Sequence, residues 1–494
     1  MTAATISKSK YLSGLQCQKL LWAQYNAKDW FPPVDAATEN VFEQGTKVGN
    51  LAKQLFPGGL EVAWTGDLAD TIKQTKDLLP ARKPIFEASF SAGGVYARAD
   101  ILKPVARGQW DIIEVKSTTE VKAVHLDDLS VQRYCYEAAG LSIHRCHLMH
   151  IDRTYVLKGD VDPKGLFAME DVTANVAEKM GEVAGRVADM LKVIGQPDCP
   201  KMDIGPHCSD PYDCPLTCRC WKKVHSLDHS IFTLNRLGEK AWNLYKQGIT
   251  TNAAIGEAVA MSDQQQIQIK AEMSGTLQIR KPEIRRFIKG LKYPLAFLDF
   301  ETFATPIPLV QSARPYQQVP FQFSVHVVDA PTSEPSHVSW IWDGNGDPFS
   351  VMLMALRECL PGQGMVVSYN ASFECSRLKE ATVRCPGYKG WLDDVLGRVV
   401  DLLVPFRAFD IYHPDQKGSA SIKAVLPVLT GKGYSDLAIG DGGTASVAYL
   451  AAMYGGVSAE EKQKTLKDLE EYCGLDTLGM WDIIQAMEHL VTKK

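Results

Sequence analysis

The chain has 494 residues, enough for two or three domains, each with a core of its own. Its 45% hydrophobic, 22% charged and 9% aromatic content is ordinary and excludes long disordered stretches. A net charge of −5 excludes a globally basic protein, so any nucleic-acid contact has to come from local patches.

The first residues, MTAATISKSKYLSGLQ, lack the apolar segment of a secretory signal, and no run long enough to span a membrane occurs. A cytoplasmic location is expected, and in a reducing cytosol a disulfide framework is not the expected use of 12 cysteines. No G-x-x-x-x-G-K-[ST] occurs either, which argues against a nucleotide-driven motor.

Three regions separate by texture: 1–222, 223–290 and 291–494. The first opens on a helix-like segment, SGLQCQKLLW, which carries Cys17. Residues 94–118, GVYARADILKPVARGQWDIIEVKST, read as two strands, about 94–103 and 109–117, joined by a Pro/Gly turn. Glu114 and Lys116 are two apart and share a face, and a hairpin brings Asp100 beside it. Two carboxylates and a lysine suit metal-assisted phosphodiester hydrolysis: the acids hold Mg2+ or Mn2+, and the lysine orients the attacking water. Glu87, in the preceding strand IFEASF, is an additional candidate ligand. On the following helix, VQRYCYEAAG, Gln132 and Tyr136 are four apart and face together. Alone, alternating Glu and Lys on a strand also fits a solvated face.

The region closes on HCSDPYDCPLTCRCW, with Cys208, Cys214, Cys218 and Cys220. Five residues between successive cysteines is long for a zinc knuckle, and a set of three leaves one corner of a tetrahedral metal or four-iron cluster open.

Residues 223–290 read as polar helices linking the outer regions. Arg236, Trp242, Tyr245 and Lys246 are candidate nucleic-acid contacts there, against the plainer reading of a packed and solvated helix. Residues 291–494 open with the strand YPLAFLDFET, on which Asp299 and Glu301 alternate onto one face. Buried acids at a strand end call for a cation. GMVVSYNASFEC runs from strand into helix with Glu374 near the helix start, and RVVDLLVPFR offers Asp401, which also suits a plain turn acid. Lys417 and Lys423 lie near a Gly-Ser turn and a helix start. In the last helix Tyr472 and Asp476 are four apart on one face.

Asp100, Glu114-x-Lys116 and Gln132-x3-Tyr136 together resemble the PD-(D/E)XK nucleases of the RecB type. Iron–sulfur members of that superfamily enclose the nuclease core between one early cysteine and three late ones. The resemblance therefore implies that Cys17, Cys208, Cys214 and Cys220 hold a [4Fe–4S] cluster, with zinc as the alternative and Cys218 as a spare. One departure is that the early segment FEQGTKVGNLAKQ has no histidine, where many members carry one. Asp299-x-Glu301, Asn370-x3-Glu374 and Tyr472-x3-Asp476 resemble the DnaQ-like (DEDD) exonucleases in their tyrosine-bearing branch. This implies two metals held by Asp299, Glu301, Glu374 and Asp476, with Tyr472 positioning the water. Glu374 departs from the aspartate usual there.

The two resemblances cover nearly the whole chain and are similar to a bacterial fusion family of poorly defined function. They imply an α/β, two-domain chain: a RecB-like, restriction-endonuclease-type core closed by four cysteines (1–222), a helical segment (223–290) and an RNase H-like, DnaQ-type domain (291–494). The implied activity is metal-dependent hydrolysis of DNA, by an exonuclease on single strands, in repair or defence against foreign DNA. The rivals are a catalytically impaired scaffold that hands nucleic acid to a helicase partner, and an RNA exonuclease.

Overall fold

The computed structural model describes residues 5–256 and 259–492 and is mixed α/β. The chain divides into two compact units: Met1–Lys223 with Thr305–Tyr316, and Val224–Ala304 with Gln317–Lys494.

The first unit is built on a sheet ordered Leu60–Glu61, Ile85–Ala92, Val95–Pro104, Trp110–Lys116, Ile143–Ile151 and Phe167–Asp171, with Ile6–Ser7 pairing parallel to Val95–Pro104. Successive side chains on a strand point to opposite faces, so Ile112 and Ile113 enter different cores. The first core is closed by the helices Lys8–Gln16, Gln18–Asn26, Ala123–Ala138 and Thr173–Ile194. The second lies under the helix Ala36–Lys53, whose Ala52 packs with Phe86, Ile101, Ile113 and Met149. The segment Thr305–Tyr316 belongs here as well. Ile307 packs near Val48, Ile151 and Leu166, Ser312 and Ala313 bond to the backbone of Leu157, and the Tyr316 hydroxyl donates to the Ser117 carbonyl.

The second unit holds a five-stranded sheet ordered Ser336–Ile341, Val319–Val328, Leu295–Phe303, Met365–Ser368 and Val399–Asp401. Leu295–Phe303 is central, antiparallel to Val319–Val328 and parallel to Met365–Ser368. The long helix Ala459–Thr492 packs Met480, Trp481 and Ile484 against Phe297 and Val367.

Most of the stretch expected as a link, 223–290, clusters with this second unit. It contains the helices Glu239–Lys246, Asp263–Ser274 and Lys281–Gly290, and its short strand Gln278–Ile279 pairs with Ile411–Tyr412. Sequence sets these boundaries locally. Ser262 and Gln265 form a reciprocal capping box at one helix start, and Gly275 ends that helix at φ 64°, where a side chain would be strained. Trp242 and Tyr245 pack at a tilt against Phe232, and Phe232 and Tyr245 border a small apolar core, in keeping with the plainer of the two roles considered for them.

Candidate metal and cluster sites

In the first unit the strand Trp110–Lys116 and the helix Ala123–Ala138 meet around Glu114. Its Oε1 accepts from Lys116 Nζ and Lys8 Nζ, both at 2.8 Å, and its Oε2 from Gln132 Nε2 at 2.8 Å. Lys116 also reaches Asp128 at 2.6 Å, and Gln132 reaches the same carboxylate at 3.2 Å. Asp100 accepts the Val115 N–H at 2.7 Å. Burial pushes the Glu114 carboxyl up, but the Lys116 and Lys8 ammoniums more than offset it and hold it well below the usual range. Burial and the neighbouring Glu114 push Asp100 up, to about 7.

The structure thus brings together Asp100, Glu114, Lys116 and Gln132, and leaves two of their expected companions elsewhere. Glu87 lies at φ 58° and turns its carboxylate to Arg98 (2.6 Å) and Lys53 (3.1 Å). Tyr136 is fully buried, and its hydroxyl takes the Ala99 N–H and donates to the Ala88 carbonyl, tying the helix to the hairpin. Lys8 and Asp128 were not expected. Asp128 had a local signal, standing four residues before Gln132 on one helix face. Lys8 had none, because it arrives from the start of the chain.

Cys17, Cys208, Cys214 and Cys220 line one small pocket with Met202 and Leu216, whereas Cys218 is exposed. Cys17 sits at the break between two helices, and the Cys214 N–H is held by the Cys208 carbonyl. Burial pushes the Cys214 thiol up to about 11. Among the described residues, the only triad of ligand atoms lying within 4.8 Å of one another is Asp299, Glu301 and Cys473. Four thiols gathered on one pocket are a donor set that fits either a [4Fe–4S] cluster or a zinc ion.

The second unit assembles four acids from three elements. Asp299 and Glu301 come from the central strand, Glu374 from the first turn of the helix Ser372–Arg384, and Asp476 from the long helix. Burial and the neighbouring acids push Asp299 well above the carboxylate range. Burial, with Asp476 beside Glu301 and Asp401 beside Glu374, pushes those two glutamates up to about 8. Burial raises Asp476 to about 6, and hydrogen bonds from Tyr434 and Tyr472 restrain it. Tyr434 donates to its Oδ1 at 2.5 Å. One buried oxygen of Glu374, Oε2, has no hydrogen-bond partner among the described residues. Crowded acids with an orphaned oxygen are a donor set that fits divalent cations.

Three neighbours here escaped sequence reading. Cys473 Sγ lies 3.5 Å from Asp299, the Tyr434 hydroxyl anchors Asp476, and Gly442 brings its backbone against Glu301, where a Cβ would stand 3.2 Å from Oε2. Lys423 stands over the rings of Tyr472 and Tyr434. Asp401 accepts the N–H groups of Asn370 and Leu403, as a turn acid does.

Residues 296–421 match a family described as a domain of unknown function (DUF2779). That span includes Asp299, Glu301 and Glu374 and stops short of Asp476. An uncharacterized protein of Mycoplasma pneumoniae is 24% identical over 41% of this chain and 33% of its own length. An uncharacterized protein of Ureaplasma parvum is 23% identical over 44% of this chain and 34% of its own. The chain thus spans about a third of the length of these curated relatives. Among solved structures, the crystal structure of SSO0001 matches 40% of this chain and 81% of that one, at 14% identity and a TM-score of 0.21. Among the described residues, no helix is long and apolar enough to cross a membrane.

Proposed function

We propose that this chain is a metal-dependent nuclease that hydrolyses DNA phosphodiester bonds, with its principal site at Asp299, Glu301, Glu374 and Asp476. The observation that carries this reading is the convergence of four buried carboxyls, three of them pushed to about 6 or 8 and Asp299 held well above the carboxylate range by burial and its neighbouring acids. Such a site carries strong mutual repulsion unless cations neutralise it. Bound Mg2+ or Mn2+ would supply charge neutralisation and a water of lowered pKa for in-line attack. The chain's own part is to hold the acids in register. Tyr434 fixes Asp476, Tyr472 hydrogen-bonds the same carboxylate, and Lys423 adds positive charge beside Glu301. The central strand and the 3.6-residue period of the long helix support the DnaQ-like, RNase H-type reading of this unit.

In the first unit, Asp100, Glu114, Lys116 and Gln132 support a RecB-like site, and the four cysteines a [4Fe–4S] clip. Lys8 favours a second reading for this unit. Its ammonium already neutralises Glu114, so the site binds nucleic acid and cuts it weakly or not at all, in keeping with a scaffold role beside a helicase.

A cleavage assay tests both readings. Anaerobically purified protein with Mg2+ or Mn2+ is given single-stranded DNA labelled at either end, beside Asp299→Ala and Lys116→Ala. Loss of all products in Asp299→Ala alone assigns the chemistry to the second unit. Unchanged products in both variants would overturn the proposal, as would no cutting by the unsubstituted chain.

A further inference from the structure

A cavity of about 770 Å³ in the second unit takes no part in the chemistry above. Its size is that of a ligand site, roughly 300–1,000 Å³. Arg236, Lys240 and Arg407 line it, and among the described residues no carboxylate does. Among the described residues none of the three forms an ion pair, and Arg407 makes only a 3.3 Å contact with the Asn370 amide oxygen. Like charges gathered around one hollow repel unless an anion lies between them. The backbone here is strained too. Arg236, Asn370 and Phe409, all lining residues, have φ of 50°, 68° and 57°. Non-glycine residues held in that region cluster at ligand sites.

The cavity shares two chain segments with the acidic site. Asn370 lies four residues before Glu374 and gives its N–H to Asp401. Ser421, another lining residue, precedes the helix Ile422–Thr430, which carries Lys423 over the rings of Tyr472 and Tyr434. The cavity is thus tied through the chain to two of the elements that carry the acidic site.

We propose that this cavity holds the phosphodiester backbone of a single DNA strand, in the stretch leading to the bond cut at Asp299, Glu301, Glu374 and Asp476. The inference rests on the nuclease reading for its direction, but the binding itself does not need catalysis. The chemistry recognised is a row of phosphates: three cations meet the charge, and of the described lining aromatics Phe409 is buried while Tyr369 is half-buried, stacked on Phe406 with its hydroxyl tied to the Ala420 carbonyl.

The test uses the full chain carrying Asp299→Asn, in EDTA, with a fluorescent oligothymidylate followed by anisotropy across a salt series. The variant Arg236→Gln/Lys240→Gln/Arg407→Gln is compared with a charge-matched control, Lys389→Gln/Lys464→Gln/Lys467→Gln. Binding about ten-fold weaker or more is expected for the cavity variant, with a salt slope shallower by about two, near 0.7 per lost phosphate contact. The control should bind like the parent. Equal affinity and slope in the cavity variant would overturn the proposal. So would an equal loss in the control, or complete displacement of the oligonucleotide by thymidine monophosphate at comparable concentration, which would mark a mononucleotide site. Cleavage is scored separately with Asp299 restored. A chain that binds through the cavity but cuts with neither metal removes the nuclease reading and leaves the cavity assignment standing.

Discussion

The Lys8 ammonium lies 2.8 Å from Oε1 of Glu114, across 106 residues of sequence. It fastens the start of the chain to the strand at the heart of the first unit. Glu114 is buried, and Lys8 and Lys116 share that one oxygen. Replacing Lys8 by methionine should cost about 1.5–3 kcal/mol, as for a hydrogen bond to a charged group. Hydrogen exchange at the amides of Trp110–Lys116 reads that loss locally. Because the folded Glu114 carboxyl is depressed, its contribution is present above the ordinary glutamate value and fades as pH falls toward the depressed one. Unchanged exchange at neutral pH would show the pair to be energetically idle.

The acids of the second unit predict the opposite pH trend. Burial and repulsion raise Glu301 and Glu374 to about 8 and Asp476 to about 6 in the folded state. Between about pH 4 and these values the folded chain holds protons that the unfolded chain has lost. Stability without metal therefore falls as pH rises through this window. Mn2+ should restore it, raising the melting temperature more at about pH 8 than at about pH 5. A metal effect equal at both pH values would remove this account of the site.

Tyr434→Phe removes the donor that restrains Asp476. The carboxyl should then rise by about one further unit, since one unit is about 1.4 kcal/mol and a hydrogen bond to a charged group is worth at least that. The pH at which activity reaches half its maximum should move up with it, and the fold should survive. An unmoved pH profile would mean that Asp476 does not have to ionise for turnover.

Protein purified without oxygen should be coloured and carry iron and acid-labile sulfide. Cys218→Ser should keep both, because Cys218 is exposed and outside the pocket of the other four. Cys17→Ser, Cys208→Ser, Cys214→Ser and Cys220→Ser should each lose iron. Zinc in stoichiometric amount with no sulfide would sink the cluster assignment.

What sequence revealed and what it hid follow one physical rule. Spacing of two on a strand, or of four on a helix, fixes a shared face without knowledge of the rest of the fold. Glu114 with Lys116, Asp299 with Glu301, and Tyr472 with Asp476 were legible on that ground. Glu87 had no such spacing behind it, only its place on the preceding strand, and its backbone lies at a left-handed angle with the carboxylate on Lys53 and Arg98. The rule was too coarse for Gln132 and Tyr136. They share a face, yet one reaches Glu114 and the other is fixed to the backbone of the hairpin. Partners from distant chain segments, such as Lys8, Tyr434 and Gly442, carried no local signal, because nothing in a single sequence sets how two elements meet. The helical stretch 223–290 was legible as helices and not as part of the second unit, for the same reason.

The first unit is discontinuous: Thr305–Tyr316 rejoins it after the central strand of the second unit has been made. On the ribosome, a chain that has reached Lys223 still lacks Ile307 for its apolar contacts and the Tyr316 hydroxyl for Ser117. At about 5–20 residues per second the delay is on the order of 5 to 20 s. During that interval Val48, Ile151 and Leu166 have their neighbours Leu51, Val115, Tyr155, Val161 and Phe167 but not the cover that Ile307 adds.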